Sequence, residues 1–395
     1  MARVLIGWEL ASSPDLLLDM ADMAYELVRR GHDVQLAAGD PVTLATVLDV
    51  RLADRILPAP VPSLRADLVM KPPREGGLAD KLALQGFAAP PLLAALAVAW
   101  RNLARAVPTD VAVAVGAPVL AFAMRGQRPL IIAGSAETLP PVTGGPLPRL
   151  HANIAPVLSE VQIVQNANAA AEMIGASAIA ASGQLLAADR AVSYGLALCD
   201  PYASLRRERT AGPLLRPPSP VTPADRPAMT AVLDIQFPNV ETLVMALTDF
   251  GQTPVHVHVR GMTQPMHAYL LENPAITVHP SAGEALAMAP QSSFVLHHAG
   301  ARVATHCLGL GVPQILLPFT VEQNAVADML QRANAGFRIG AASDPAAIAD
   351  TLARLFRNLD MVQNAQHAAR QIALDPPAPA LPSIVAAVEE LAGAA

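Results

Sequence analysis

The strongest constraint on the fold is the alternation of short apolar runs with segments of helical periodicity. Val4–Trp8 is an apolar run of the kind that forms a buried parallel strand. Ser12-Ser13-Pro14-Asp15 then combines a Ser cap, an early proline and a first-turn acid, a pattern typical of a helix start. Gly31 ends this helix, and Val34–Ala38 is the next apolar run. A strand, a helix and a strand in this order predict parallel pairing through a right-handed crossover.

A proline-dense break divides the chain. Residues 213–227 carry six prolines, and the strand and helix rhythm restarts after them at Met229–Ile235. With 395 residues, two or three domains are expected at roughly 150 residues each. We therefore predict an N-terminal Rossmann-like domain over 1–212, a Pro-rich linker over 213–227 and a C-terminal Rossmann-like domain over 228–375. Residues 376–395 form a tail helix, for which a return to the N-terminal domain is left open.

Composition excludes several classes of protein. The chain is 52% hydrophobic with a net charge of −6, and no Lys/Arg-rich run offers a face for nucleic acid. Two cysteines are too few for a disulfide framework. The first apolar run is too short for a signal peptide, and polar residues and prolines interrupt the longer uncharged stretches. We expect a cytoplasmic protein without a transmembrane segment, although peripheral membrane contact stays open.

The stretch from Phe294 to Gly340 carries several motifs in a fixed order. His298-Ala299-Gly300 follows an apolar run, Leu310-Gly311-Val312-Pro313 forms the next turn, and Glu322-Gln323 comes after Pro318. This stretch resembles the donor-binding signature of family-1 glycosyltransferases, in which His-Gly-Gly and Asp-Gln or Glu-Gln stand at the corresponding places. The resemblance implies the GT-B fold, in which two Rossmann-like domains face each other across a cleft.

The same resemblance implies the donor and the residues that bind it. The donor is a nucleoside-diphosphate sugar of the UDP or TDP type, and no separate cofactor is expected. His298 would donate to a phosphate oxygen, and Gly300 would let the backbone approach the diphosphate. Glu322 and Gln323 would accept from sugar hydroxyls. His279 lies in the loop that contacts the nucleobase in relatives.

Arg302 departs from the family pattern. Most bacterial relatives have Gly-Thr just after the His-Gly-Gly segment, where this chain has Arg302-Val303. A guanidinium suits phosphate oxygens, so Arg302 is a candidate donor-binding residue. It could equally fill the phosphate pocket and block it. The sequence leaves these two interpretations open.

The residues that perform catalysis in inverting relatives are missing. There, a His in the loop after the first strand removes the acceptor proton, and an Asp at a later strand end orients it. Aligned from Trp8-Glu9-Leu10, the His position holds Leu16, and the Asp position falls at Val115-Gly116. Asp15 is the candidate replacement base, although the helix dipole lowers the pKa of a first-turn acid. Glu137 precedes Pro140-Pro141 and could face the cleft, although the position favours a plain loop residue.

The two histidines of one predicted strand, His256 and His258, would share a face and could be half of a metal site. They have no cysteine or carboxylate close by in sequence, so we predict no metal.

Two functional hypotheses follow, and a third is close to them. The chain is a glycosyltransferase that moves a sugar to a small acceptor, or an inactive pseudo-glycosyltransferase acting as a partner or regulatory subunit. A binding module regulated by a nucleotide sugar is the third. A protein partner or a homo-oligomer is compatible with each of them, whereas a nucleic-acid partner is not expected.

Overall fold

The computed structural model describes residues 1–10, 14–48, 50–62, 75–142, 144–222, 228–250, 253–340, 344–356 and 358–394. The chain divides into two compact units. The first comprises 1–197, 201–215 and 378–395, and the second comprises 198–200 and 216–377. The segment predicted as a linker is thus shared between the units, and its last residues, 223–227, lie outside the described part.

The first unit contains a six-stranded parallel sheet in the order β3-β2-β1-β4-β5-β6. Its strands are β1 (Arg3–Trp8), β2 (Asp33–Ala38), β3 (Ile56–Pro58), β4 (Val111–Val115), β5 (Leu130–Ser135) and β6 (Arg190–Tyr194). Its helices are α1 (Pro14–Arg29), α2 (Pro41–Val47), α3 (Val50–Ala53), α4 (Leu78–Leu82), α5 (Pro90–Ala106), α6 (Pro118–Met124), α7 (Glu160–Met173) and α15 (Leu381–Ala394). A π-helical segment, Ala83–Phe87, follows α4.

Hydrophobic layers cover both faces of this sheet. Strand β4 has all five residues buried, as the apolar run Val111–Val115 predicts for a central parallel strand. One layer includes Leu16 and Met20 of α1, and the other includes Trp100 of α5. The helices therefore lie on both sides of the sheet, which is the doubly wound arrangement.

The last helix, α15, belongs to the first unit. It packs against α1, and near the end of that helix Glu389 forms an ion pair with Arg30 and contacts Nε2 of His32 at 3.3 Å. At its start, the N–H of Ala380 donates to the carbonyl of Pro213 at 2.9 Å. The proline-rich residues before α15 end the preceding helix, and the chain then returns to the first unit.

The second unit contains another six-stranded parallel sheet, in the order β12-β11-β10-β7-β8-β9. Its strands are β7 (Ala228–Asp234), β8 (Val255–Arg260), β9 (Ile276–Val278), β10 (Ser292–His297), β11 (Gln314–Leu316) and β12 (Phe337–Arg338). Its helices are α8 (Val240–Thr248), α9 (Gln264–Leu270), α10 (Ala282–Leu286), α11 (Ala301–Leu310), α12 (Val321–Arg332), α13 (Pro345–Leu355) and α14 (Leu359–Leu374).

Both units are thus Rossmann-like, as the sequence predicts, and the strand order changes direction next to β1 and β7. Ligands of such sheets bind outside the carboxyl ends of the strands, at this change of direction.

None of the described helices has by itself the length and apolar composition needed to cross a membrane. Two consecutive helical segments, Leu78–Phe87 and Pro90–Ala106, reach that length and composition only when they are taken together. The chain bends by 81° between them.

Candidate functional site

The carboxyl ends of four strands meet at one edge of the second sheet. Strand β7 ends at Asp234, β8 at Arg260 and β10 at His297, with β11 beside β10. His298 is the first residue after β10, and α11 begins three residues later at Ala301. The predicted His298-Ala299-Gly300 segment therefore lies at the position where doubly wound sheets bind ligands.

His298 is buried and both of its ring nitrogens form hydrogen bonds. Nδ1 donates to the carbonyl of Leu317 at 2.8 Å, while Nε2 accepts the backbone N–H of Asp234 at 3.0 Å. Burial lowers the pKa of the imidazole, so the ring is neutral with its proton on Nδ1. Phe237 and Phe319 pack against it, with ring centroids 5.1 and 5.0 Å away. In this arrangement the ring ties three strand ends together, and a bond to phosphate would require it to exchange one of these partners.

His297 shapes the turn, a role that the sequence did not reveal. Its Nδ1 accepts the N–H of Ala299 at 3.1 Å, and its Nε2 donates to Oε1 of Gln314, also at 3.1 Å. Burial lowers the pKa of His297 to about 3. Ala299 has a positive φ of 60°, which is uncommon for a residue with a side chain. The buried ring thus holds Ala299 in the conformation that a glycine would adopt more easily.

Helix α11 presents an open N-terminus at this edge. Its cap residue is Gly300, which has no side chain to accept a capping hydrogen bond. The N–H groups of the first turn are therefore not capped by a side chain of the cap residue. The helix dipole adds partial positive charge, and together these features suit an anion. Arg302 lies half-buried in the first turn. Burial lowers the pKa of His306 one turn later, and the charge of Arg302 adds to this shift.

A partly exposed ion pair between Arg260 and the buried Asp234 lies at this edge. Arg260 binds Oδ2 of Asp234 through Nε at 3.0 Å and through a second guanidinium nitrogen, and 32% of the Arg260 side chain remains exposed. Asp234 also accepts the N–H of Gln236 at 2.9 Å. Arg260 was missed in the sequence, although its position at the end of an alternating strand was the available signal. Together with Arg302, Arg260 gives this edge two positive charges, and the charge of Arg260 acts on the neighbouring neutral His298.

Glu322 and Gln323 occupy the first turn of α12 and are both buried. Gln323 forms a capping box with Thr320. Its Oε1 accepts the N–H groups of Phe319 and Thr320 at 3.0 and 3.2 Å, and Thr320 Oγ1 accepts the N–H of Gln323 at 3.3 Å. The oxygen predicted to accept from sugar hydroxyls is therefore committed to the backbone, which leaves the amide NH₂ of Gln323 as its donor to a ligand.

His279 follows β9 and belongs to a histidine cluster with His256 and His258. The His256 and His279 rings are joined by a 3.2 Å hydrogen bond, and His258 Nδ1 donates to the carbonyl of His279 at 3.1 Å. Burial lowers the pKa of His256 and of His258. Within the described ranges no group of three His, Cys, Asp or Glu side chains is arranged to hold a metal ion.

A carboxyl cluster lies at the carboxyl edge of the first sheet. Asp15 is half-buried in the first turn of α1, while Asp19, one turn later, is buried and accepts the hydroxyl of Tyr194 at 2.7 Å. Glu137, two residues after β5, is also buried and accepts the hydroxyl of Ser135 at 2.7 Å. The sequence favoured a plain loop residue at Glu137 over one facing the cleft, and it gave no sign that this carboxyl would be buried. Ala11, Ser12 and Ser13 of the predicted catalytic loop lie outside the described residues.

Leu16 and Gly116 lie beside each other at the same edge. A Cβ atom on Gly116 would lie 2.9 Å from Cδ1 of Leu16 and 3.7 Å from Leu10. The two positions that the sequence alignment assigned to a His and its Asp are therefore adjacent in space, and both are apolar here.

Solved structures share the whole architecture. The spinosyn rhamnosyltransferase SpnG superposes with a TM-score of 0.65 at 16% identity, covering 99% of this chain and 100% of that one. The glycosyltransferase VinC, solved in complex with dTDP, gives 0.61 at 15% identity and full coverage of both chains. The chain has the GT-B fold. SnogD from Streptomyces nogalater, another glycosyltransferase, gives 0.59 at 18% identity, also with full coverage of both. No protein-family model and no curated protein sequence matches the chain.

Proposed function

We propose that this GT-B protein binds a nucleoside-diphosphate sugar in its second unit and transfers the sugar to a small-molecule acceptor. The observation that carries the proposal is the open N-terminus of α11 at the carboxyl edge of the sheet, where Gly300 and Ala301 let a diphosphate approach the backbone. The cations of Arg302 and Arg260 complement the charge of a diphosphate at that edge. The dTDP in the VinC structure favours the TDP type of donor over the UDP type.

The remaining donor residues take roles consistent with their contacts. His298 positions the Asp234 end of β7 against the start of the α11 turn and contacts phosphate only if it releases a present partner. Glu322 and the amide of Gln323 would bind sugar hydroxyls from the first turn of α12. His279 would contact the nucleobase. The inactive-subunit alternative gains no support from the solved structures named above, which are described as glycosyltransferases.

Calorimetric titration with TDP, UDP and GDP tests the donor site without knowledge of the acceptor. We expect micromolar binding of TDP and weaker binding of GDP. Absence of binding across the three nucleotides would refute the proposal.

Arg302→Ala distinguishes the two roles left open for that residue. If Arg302 pairs with the diphosphate, the variant should lose about tenfold in TDP affinity, the effect expected for a charge-assisted hydrogen bond. If Arg302 obstructs the pocket, affinity should rise instead. Arg332→Ala, at the far end of α12 and exposed, is the matched control for loss of one positive charge.

A further inference from the structure

We propose that Gln314 is a positioning residue for donor binding, because it fixes the tautomer of His297 and, through that ring, the backbone turn at Ala299. This inference rests on the proposed binding of a diphosphate at the N-terminus of α11. Gln314 is the first residue of β11, which pairs with β10, so it reaches the turn through the interior of the second unit. In this role it touches no part of the donor itself.

The orientation of the Gln314 amide is set by its contact with Ala335. The amide Nε2 donates to the carbonyl of Ala335 at 3.2 Å, and a carbonyl can only accept. The amide oxygen therefore points the other way, and it lies 3.1 Å from Nε2 of His297. Ala335 is held in turn by its own N–H, which donates to the carbonyl of Leu330 at 2.8 Å. Only 1% of Gln314 is exposed, so solvent water has little access to either bond.

This amide orientation leaves His297 with one tautomer. Because the oxygen of Gln314 can only accept, the ring nitrogen that faces it, Nε2, must carry the proton. The other ring nitrogen, Nδ1, is then a pure acceptor, and it receives the N–H of Ala299 at 3.1 Å. A backbone N–H can only donate, so the contacts at both ends of the ring require the same tautomer. Burial keeps this imidazole neutral, because it lowers the pKa of His297 to about 3.

Ala299 depends on this bond because of its backbone conformation. Its φ is 60°, in the left-handed region where a Cβ atom crowds the following carbonyl oxygen. Without the bond to Nδ1 of His297, an alanine at this position would relax toward negative φ. Gly300 and the first turn of α11 follow directly in the chain, so they would move with it. The N–H groups proposed to face a diphosphate are thus positioned by a buried hydrogen-bond chain behind them.

The neighbouring His298 has the opposite tautomer. Its Nδ1 carries the proton and donates to the carbonyl of Leu317, while its Nε2 accepts the N–H of Asp234. Two adjacent neutral rings therefore hold their protons on different nitrogens, each because a backbone N–H occupies the other nitrogen. This difference lets a spectroscopic measurement separate the effect of Gln314 on His297 from a general disturbance of the turn, which would alter both rings.

Nitrogen-15 spectra of the histidine side chains give the first test, on the protein without ligand at neutral pH. His297→Gln identifies the His297 signal by its loss. We expect the wild-type His297 to be protonated on Nε2 and His298 on Nδ1. Gln314→Met keeps the length of the side chain but removes the amide, so it should shift His297 toward a mixture of tautomers and leave His298 unchanged. A wild-type His297 protonated on Nδ1 would overturn the inference, and this result does not depend on whether Gln314→Met folds.

Calorimetry with TDP gives the second test. Gln314→Met should lose about tenfold in TDP affinity, the size expected when Ala299 loses the support of its left-handed conformation. Ala299→Gly should rescue most of this loss, because glycine adopts a positive φ without steric cost. In that background Gln314→Met should lose less than about threefold. An equal loss in both backgrounds would contradict the inference, since a general loss of stability does not depend on the residue at position 299.

Gln366→Met is the matched control. Gln366 is also buried in the second unit, and its Nε2 donates to the carbonyls of Val221 and Gly311 at 3.0 and 2.8 Å. Its replacement should lower stability in urea unfolding much as Gln314→Met does, because each removes a buried amide, but TDP affinity should stay within about twofold of the wild type. A loss of affinity in this control as large as that in Gln314→Met would show that affinity merely follows stability, and would rule out a positioning role.

Failure of the positioning role and failure of the proposed function give different results in the same titrations. A wild type that binds no TDP would refute the donor site, and the role of Gln314 with it. If the wild type binds TDP and Gln314→Met binds it equally well, the role of Gln314 is refuted and the proposed donor site stands.

Discussion

Leu16 and Gly116 face each other at the carboxyl edge of the first sheet, where a Cβ on Gly116 would approach Leu16 Cδ1 to 2.9 Å. Gly116 also has a positive φ of 57°, and its carbonyl accepts the N–H groups of Glu9 and Leu10. The contact is apolar on both sides, and the Gly116 carbonyl fixes the start of the loop that follows β1.

Gly116→Ala should destabilise the protein by about 1–3 kcal/mol, because the new methyl group meets Leu16 and the positive φ becomes strained. Urea unfolding measures this cost. Gly126→Ala is the control, since Gly126 has a φ of 69° but open space around its Cβ position. Equal costs for the two variants would show that the Leu16 contact contributes nothing.

Gln323→Ala should cost about 0.5–2 kcal/mol of stability, because two backbone N–H groups at the start of α12 lose their acceptor. It should also weaken TDP-glucose binding in calorimetry, because Glu322 lies in the same turn. Gln162→Ala removes the same capping box from α7 in the first unit. If Gln162→Ala also weakened TDP-glucose binding, the loss of affinity in Gln323→Ala would reflect lost stability and not a contact in the donor site.

Arg260→Met should destabilise the second unit, by about 1–3 kcal/mol, because it leaves the Asp234 carboxylate buried without its cation. Partial exposure of Arg260 keeps the figure below that of a fully buried pair. Adding Asp234→Asn should recover part of the stability, as thermal unfolding would reveal. TDP affinity should stay low in both variants, since neither restores the positive charge; recovery of affinity in the double variant would exclude Arg260 from donor binding.

Acid should weaken the second unit through His297. Its folded-state pKa of about 3 lies below the usual 6.5, so the unfolded chain binds a proton that the native protein excludes. Stability should therefore fall as pH drops below about 6.5, by about 1.4 kcal/mol per pH unit for this group, until pH approaches 3. Urea unfolding at several pH values should show a shallower decline in His297→Gln, and an unaltered slope would argue against a buried neutral ring.

Much of the fold was predictable because it depends on local patterns. The apolar runs at Val4–Trp8 and Val111–Val115, with helical segments between them, require a parallel sheet covered by helices. The turn at His298-Ala299-Gly300 was predictable for the same reason, since small residues after a buried strand and before a helix indicate a tight link between the two.

The roles of individual side chains were less accessible. The sequence indicated His298 as a phosphate donor, whereas the structure shows both its nitrogens bonded within the sheet edge. It indicated the Gln323 oxygen as a sugar ligand, whereas that oxygen caps α12. Hydrogen-bond partners depend on which strand ends become neighbours, and a linear pattern does not contain that information.

The sequence by itself determined that this chain folds into two parallel α/β units, because periodicity and turn residues act over a few positions. Tertiary structure alone decided that Tyr194 meets Asp19 and that Arg260 meets Asp234. Residues 26 or more positions apart contribute to each pair, and only strand order and helix packing bring them within range. The charge of a buried carboxyl depends on such neighbours, and so does the chemistry proposed for this protein.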